Sequence, residues 1–223
     1  YAQLDQLGVR QEIFTPLRRH SNPDNNRIDF AVPGSAVRFS GVLSGYHRVL
    51  FRHKIRKLFR DLDAFDIVGD CDLIHATTLF SDGALAYEAF KKYGKPYIVS
   101  VRNTDINMFL KFKPYLIFLV RQILDNAQRL VFISQSNFDN FFNHPLAAMF
   151  ADTCRSKAVV INNGIERLWL DNRSTRKRAS ANEILFIGRF DRNKNAVRLI
   201  RAFLELRAAR PHLRLSLVGS HGV

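Results

Sequence analysis

Apolar and polar positions along this chain switch between two periods. From Cys71 onward, short apolar runs alternate with longer segments of helical spacing. KPYIVSV, RLVFIS and KAVVINNGI each hold three or four strand-forming residues in a row, as strands buried on both faces require, and CDLIHATT carries a shorter Leu-Ile run. Between them SDGALAYEAFKKYG, QSNFDNFF and NHPLAAMFAD carry helical spacing. DINMFLKFKPYLIFLVRQILDNA does too, with an interruption near Pro114. Strands alternating with helices predict an α/β fold, a Rossmann-like parallel sheet with helices on both faces. Ligands in such a sheet lie beyond the carboxyl ends of its strands. That rule singles out His75, Arg102 and the turn from Asn162 to Glu166 before any chemistry is considered.

The front of the chain is less regular. YAQLDQLGVRQEIFTP predicts a helix end closed near Gly8 and a strand over Gln11 to Phe14, and RIDFAVPG predicts a short strand stopped by Pro33 and Gly34. A doubly wound domain opens on a strand and its loop, so the first strand is expected to precede this sequence. From Tyr46, YHRVLFRHKIRKLFRDL predicts a helix to Leu62 with Phe51, Ile55, Leu58 and Leu62 on one face, and Arg48, Arg52, Arg56 and Arg60 in a row beside them. That row serves equally as a solvated surface, an anionic-membrane contact or a nucleic-acid contact.

Residues 171–182 form a polar, basic linker between a domain over 1–170 and a second over 183–223. NEILFIGRF begins that second domain with a strand, and a helix over Asn195 to Ala209 turns Val197, Ile200, Phe203 and Leu204 inward before Pro211. RLSLVG follows as another strand. In ILFIGRFDRNKNAVRLIRAF, Gly188 allows a sharp turn after the strand, and the helix that follows offers free backbone N–H groups at its positive end. Arg189 adds a planar fork of donors and Lys194 a mobile charge, a pair suited to a diphosphate, though in a chain with 34 basic residues the two serve equally as solvated surface charges.

Charge sharpens this picture. With 34 Lys and Arg against 20 Asp and Glu, the chain carries a formal net charge of +14 and attracts anionic partners. Two cysteines, Cys71 and Cys154, fit buried thiols better than a zinc site, because neither belongs to a CxxC pair. No run approaches the roughly 18 apolar residues of a membrane span, and no secretory pattern opens the sequence, which predicts a cytoplasmic protein.

ILFIGRFDRNKNAVRLIRAFLELRAARPHLRLSLVG resembles the donor-domain entry of the retaining GT-B glycosyltransferases of glycosyltransferase family 4: an apolar strand, Gly-Arg, a Lys, a helix with Ala-Phe and a strand ending in Val-Gly. DLIHATT is similar to the family's Asp-x-x-His strand end, and KPYIVSVRNTD to the strand and loop after the next helix. RLVFISQSNFD resembles the family's Ser-x-x-x segment, and VVINNGIE the Pro-Asn-Gly-Val-Asp turn. The resemblance covers roughly residues 70–219.

It implies a GT-B fold, with an N-terminal acceptor domain and the start of a nucleotide-sugar-binding domain. Its Gly-rich first loop and downstream Glu-x7-Glu motif lie outside the sequence, so this stretch alone is expected to be incompetent for transfer. The implied reaction is hexosyl transfer from a nucleotide-diphosphate sugar to a lipid-linked or polysaccharide acceptor with retention, in cell-surface glycan synthesis, without a metal or other cofactor. Gly188, Arg189 and Lys194, with Asn163 and Gly164 of the turn, are implied at the donor, and His75, Arg102 and Asp105 at the reacting sugars. Arg102 stands where the family commonly has a His, and Asn162 replaces the turn's Pro.

His75 serves as well as a packed or solvent-facing side chain, and Asp105 as a cap of the helix beginning near Ile106, for which Thr104 competes. Partners expected on this reading are the donor, a glycan or lipid-linked acceptor and an anionic membrane surface through Tyr46 to Leu62 on the inner face, with no nucleic acid. A nucleotide- or phosphosugar-binding protein without transferase activity is the first alternative, and a nucleic-acid-binding protein driven by the +14 charge, for which no recognisable module is present, is the second.

Overall fold

A computed structural model describes residues 1–19, 21–110, 112–165, 167–173, 182–192 and 194–220. The chain divides into two compact units, Tyr1–Gly164 and Ile165–Val223.

The first unit opens with a short helix, α1 (Ala2–Gln6), closed by Gly8 in the left-handed region at φ 76°. Strand β1 (Glu12–Thr15) pairs in parallel with β2 (Ala36–Phe39), Glu12 opposite Ala36 and Thr15 opposite Phe39. The strand expected in RIDFAVPG does not form; the second strand starts beyond it, at Ala36. The Asp5 carboxylate takes the N–H groups of Ala31 and Val32 at 2.7 and 2.9 Å, and Pro33 has none, so the donors a sheet ladder needs are already committed there. Gly34, at φ 79°, then turns the chain into β2.

The helix expected from Tyr46 starts later. Gly45–Arg48 is a 3-10 turn held by Ser44 and His47, and the α-helix, α2, spans Phe51–Asp63. Its Phe51, Ile55 and Leu58 enter the core, while Arg52, Arg56 and Arg60 lie exposed. The apolar stripe is therefore committed to the protein interior, and an interfacial helix buried in lipid by that stripe is excluded.

Four parallel strands in the order β3 (Ile74–Ala76), β4 (Tyr97–Val101), β5 (Arg129–Phe132) and β6 (Ala158–Val160) form the main sheet. Helices connect them: α3 (Ser81–Tyr93), α4 (Ile117–Asn126), and then α5 (Gln135–Phe142), α6 (Pro145–Ala148) and α7 (Ala151–Arg155). Tyr97, Val99, Val101, Leu130 and Phe132 alternate onto one face and are fully buried against Leu58, Ile123 and Leu124. The other face, with Ile98 and Val131, is half-buried.

Ser134 caps α5 by accepting the Asn137 N–H. Gly94 ends α3 at φ 66°. Gly83 lets α3 approach α4, since a Cβ there would stand 3.1 Å from Ile123 Cγ2. The Tyr97 hydroxyl, whose pKa burial raises, donates to the Ile123 carbonyl at 2.6 Å and ties β4 to α4. Cys154 is buried and Cys71 half-buried, both as free thiols.

The second unit holds α8 (Arg167–Asp171), β7 (Glu183–Ile187), α9 (Ala196–Ala209) and β8 (Arg214–Val218), with β7 parallel to β8. Most of the expected linker, residues 174–181, lies outside the described residues. The inward face of α9 differs from the expected one. Ala196 and Phe203 are buried and Leu199 and Ile200 half-buried, whereas Val197 and Leu204 are exposed. Asn195, in the left-handed region at φ 52°, starts the helix and sets this phase.

Candidate functional site

Around the carboxyl ends of β3 and β4 lie three residues expected at the site, His75 within β3 and Arg102 and Asp105 after β4. His75 is the middle residue of β3 rather than its last, and its Nε2 lies 2.9 Å from the Ser100 hydroxyl of β4. The two strands' register places both on the half-buried face of the sheet. Removal of its ring from water, and secondarily the nearby Arg102 charge, lower the imidazole pKa, while Asp82 acts against them. The ring is therefore neutral at pH 7, able to donate from one nitrogen and accept at the other.

Arg102 is the first residue past β4, and its Nε donates to the Thr77 carbonyl at 2.7 Å. That bond joins the loops after β3 and β4 and leaves the outer guanidinium nitrogens of this exposed residue available to an anionic or hydroxylated ligand. As a permanent cation, Arg102 orients and stabilises charge; it does not shuttle a proton.

Asp105 is buried and directs its carboxylate backward rather than onto the turn it begins. It accepts the N–H groups of Arg102 at 2.9 Å and Leu79 at 3.2 Å, and that of Phe80 as well. Burial pushes its pKa up to about 6 against the pull of these donors. With no exposed face, the carboxylate positions the loop that carries Arg102 and the entry to α3.

Sequence reasoning missed several neighbours: Ser100, Thr77 and a buried asparagine, Asn137. The Asn137 amide donates to Asn103 Oδ1 at 3.0 Å while its own Oδ1 has no protein partner. The available cue was its place three residues after the helix-capping Ser134. Asn163 and Gly164 lie exposed after β6 and, among the described residues, make no side-chain hydrogen bond. Glu166 of that turn lies outside the described residues.

In the second unit, the loop after β7 is organised by a residue the sequence did not single out. Asp191 Oδ1 accepts the Lys194 N–H at 2.8 Å, and its Oδ2 pairs with Arg189 at 3.3 Å. The Asp-x-x-Lys spacing, an Asx-type turn, was the readable cue. One carboxylate thus holds the Arg189 side chain and the Lys194 backbone in one place, while Arg192 of the same loop is exposed.

Gly188 donates its N–H to the Val218 carbonyl, and a Cβ on Gly219 would collide with the Gly188 carbonyl. The two post-strand loops meet backbone to backbone. Helix α9 begins with no side-chain cap, so N–H groups of its first turn remain open to an anion beside the exposed Lys194. Among the described residues no cluster of three His, Cys, Asp or Glu side chains is arranged to hold a metal ion.

Parallel strands joined by helical crossovers, with polar side chains gathered beyond their carboxyl ends, define a Rossmann-like α/β protein. Residues 1–167 match the model of the family described as Glycosyltransferase Family 4, and the chain belongs to that family. Its general chemistry is that of a nucleotide-sugar glycosyltransferase, and its parallel α/β units are those the GT-B resemblance implies. No curated protein matches the chain. Among solved structures, the Anabaena protein Alr3699/HepE, crystallised in complex with UDP, aligns with a TM-score of 0.47 at 14% identity. The alignment covers 95% of this chain and 70% of that one.

Proposed function

We propose that the protein transfers a hexosyl unit from a nucleotide-diphosphate sugar, with retention, to a lipid-linked or polysaccharide acceptor in cell-surface glycan synthesis. The observation that carries this reading is the loop from Gly188 to Asn195, where Arg189 and Lys194 are tethered to one carboxylate beside the uncapped first turn of α9. As the glycosidic bond breaks, negative charge grows on the leaving diphosphate. Arg189, Lys194 and the helix N–H groups stabilise it there. Arg102 and the neutral His75 orient hydroxyls of the reacting sugars.

In this reading residues 1–170 are the acceptor domain, 171–182 a linker and 183–223 the start of the donor domain, with Asn163 and Gly164 at the turn that leads to it. The protein then works in the cytoplasm, on the inner face of the membrane. Arg52, Arg56 and Arg60 carry that contact together with Phe118, which is 79% exposed, across a groove of about 630 Å³ between α2, α3 and α4. Reversing Arg52 and Arg56 to Glu is expected to weaken binding to anionic vesicles about tenfold or more, at about 1 kcal/mol per charge. Unchanged binding removes the membrane contact.

The substitution of Arg102 for the family His favours a second reading, binding of the nucleotide sugar without transfer. Turnover separates the two. Measured on the full-length protein, release of nucleoside diphosphate from the donor in the presence of acceptor, reduced in Arg189→Ala, supports transfer, and tight donor binding with no release supports the second reading.

A further inference from the structure

The loop after β4 carries a residue whose outward chemistry is set by a buried asparagine. Arg102 and Asn103 are neighbours in that loop, and each is tied to a different flanking segment. Arg102 Nε donates to the Thr77 carbonyl after β3 at 2.7 Å, whereas Asn103 Oδ1 accepts from Nδ2 of Asn137, in the first turn of α5 after β5, at 3.0 Å. Asn137 is 1% exposed, and the Ser134 hydroxyl accepts its backbone N–H at 3.1 Å, so its amide has a fixed place. Asn103 is exposed.

Stability does not account for Asn137. Among the described residues its Oδ1 has no hydrogen-bond partner, and a buried acceptor without a donor destabilises a fold, a cost that an apolar side chain of similar size avoids. The one side-chain bond it makes is to an exposed amide that water would otherwise satisfy. That bond does fix a direction. With its oxygen turned inward, Asn103 faces outward with both N–H groups of Nδ2, for which no described residue supplies an acceptor. Turning both amides round would put N–H groups where the Asn137 oxygen now stands, with nothing to receive them, and orphaned buried donors are rarer than orphaned acceptors.

We propose that Asn137 is a positioning residue, which locks Asn103 so that its two outward N–H groups receive hydroxyl oxygens of the sugar acceptor at the carboxyl ends of β4 and β5. Ligands of a parallel sheet lie at that end. An unrestrained asparagine turns either its oxygen or its nitrogen to a ligand, whereas the locked one offers donors only. Being neutral, it suits hydroxyl oxygens rather than a charged group. That the sugar is the acceptor rests on the transferase reading; the locked amide rests on the geometry alone.

Three variants separate positioning from support of the fold. Asn137→Leu is expected to keep or raise the urea midpoint, because the unpaired oxygen leaves with the amide. Asn103→Ala removes the outward donors, and Asn103→Asp still accepts from Asn137 but donates nothing outward. The full-length protein is then supplied with pooled nucleotide-diphosphate hexoses and an extract of lipid-linked glycans. All three variants are expected to raise the extract concentration at half-saturation about fivefold or more, to lower kcat by less, and to leave nucleoside diphosphate affinity within about twofold of wild type.

Unchanged half-saturation in Asn103→Asp overturns the proposal on an exposed residue whose replacement does not threaten the fold. A lowered urea midpoint in Asn137→Leu, with half-saturation, kcat and nucleoside diphosphate affinity all impaired alike, overturns the positioning role. Should the wild type release no nucleoside diphosphate, the acceptor assignment falls, and the side-chain amide signals of Asn103 are followed by NMR during titration with methyl α-glucoside. A shift in wild type that is lost in Asn137→Leu keeps the locked amide as a sugar contact, and no shift overturns it.

Discussion

Removing the Asp105 carboxylate is expected to cost stability in a way that depends on pH with a definite sign. In the fold it accepts backbone N–H groups from Arg102, Leu79 and Phe80. Asp105→Ala leaves them without that acceptor, at about 1–3 kcal/mol for each donor that water cannot reach, so the loss is on the order of 3 kcal/mol. Burial raises the Asp105 pKa from its ordinary 3.8 to about 6, so between those values the folded protein holds a proton that the unfolded chain releases. The contribution is full below about pH 4 and is lost as pH rises through about 6, a change of up to about 3 kcal/mol. Urea denaturation at pH 4.5 and pH 7 should show a larger deficit for Asp105→Ala at the lower pH. Asp105→Asn should flatten the wild-type pH dependence across the same interval. An alanine variant within about 0.5 kcal/mol of wild type at both values, or a deficit independent of pH, refutes the reasoning.

Gly219→Ala should destabilise the second unit by about 2 kcal/mol or more, because the added Cβ meets the Gly188 carbonyl; hydrogen exchange of β7 and β8 reports it, and unaltered protection contradicts it. Asp191→Asn keeps an oxygen for the Lys194 N–H while releasing Arg189 from its ion pair. Nucleoside diphosphate affinity, measured by calorimetry, should then rise by up to about fivefold, as expected for removal of an exposed pair, and a fall in affinity counts against the loop geometry.

The crossover pattern from Cys71 onward was legible because buried parallel strands leave continuous apolar runs, and β3 to β6 and β7 to β8 follow it in order. The front was less so. The Asp5 carboxylate takes the N–H groups of Ala31 and Val32 from a distance in sequence that no local pattern reveals, and β2 moves to Ala36 as a result. At the site, residue types put Arg102 and Arg189 just past strand ends, whereas His75, expected to end its strand, lies in the middle of β3. What those types could not show was partnership. Asp105 turns inward to three backbone donors, Asp191 binds the Arg189 guanidinium and the Lys194 backbone N–H, and Lys54 finds Ser81 from another helix. Such contacts are made between segments and leave no periodicity behind them.

The central claim is that Arg189 and Lys194 hold a nucleoside diphosphate. Calorimetric titration of the protein with nucleoside diphosphate tests it most directly. The account predicts a loss of tenfold or more in affinity for both Arg189→Ala and Lys194→Ala, the worth of one charge-assisted hydrogen bond at about 1.5 kcal/mol. Affinity equal to wild type in both variants contradicts it.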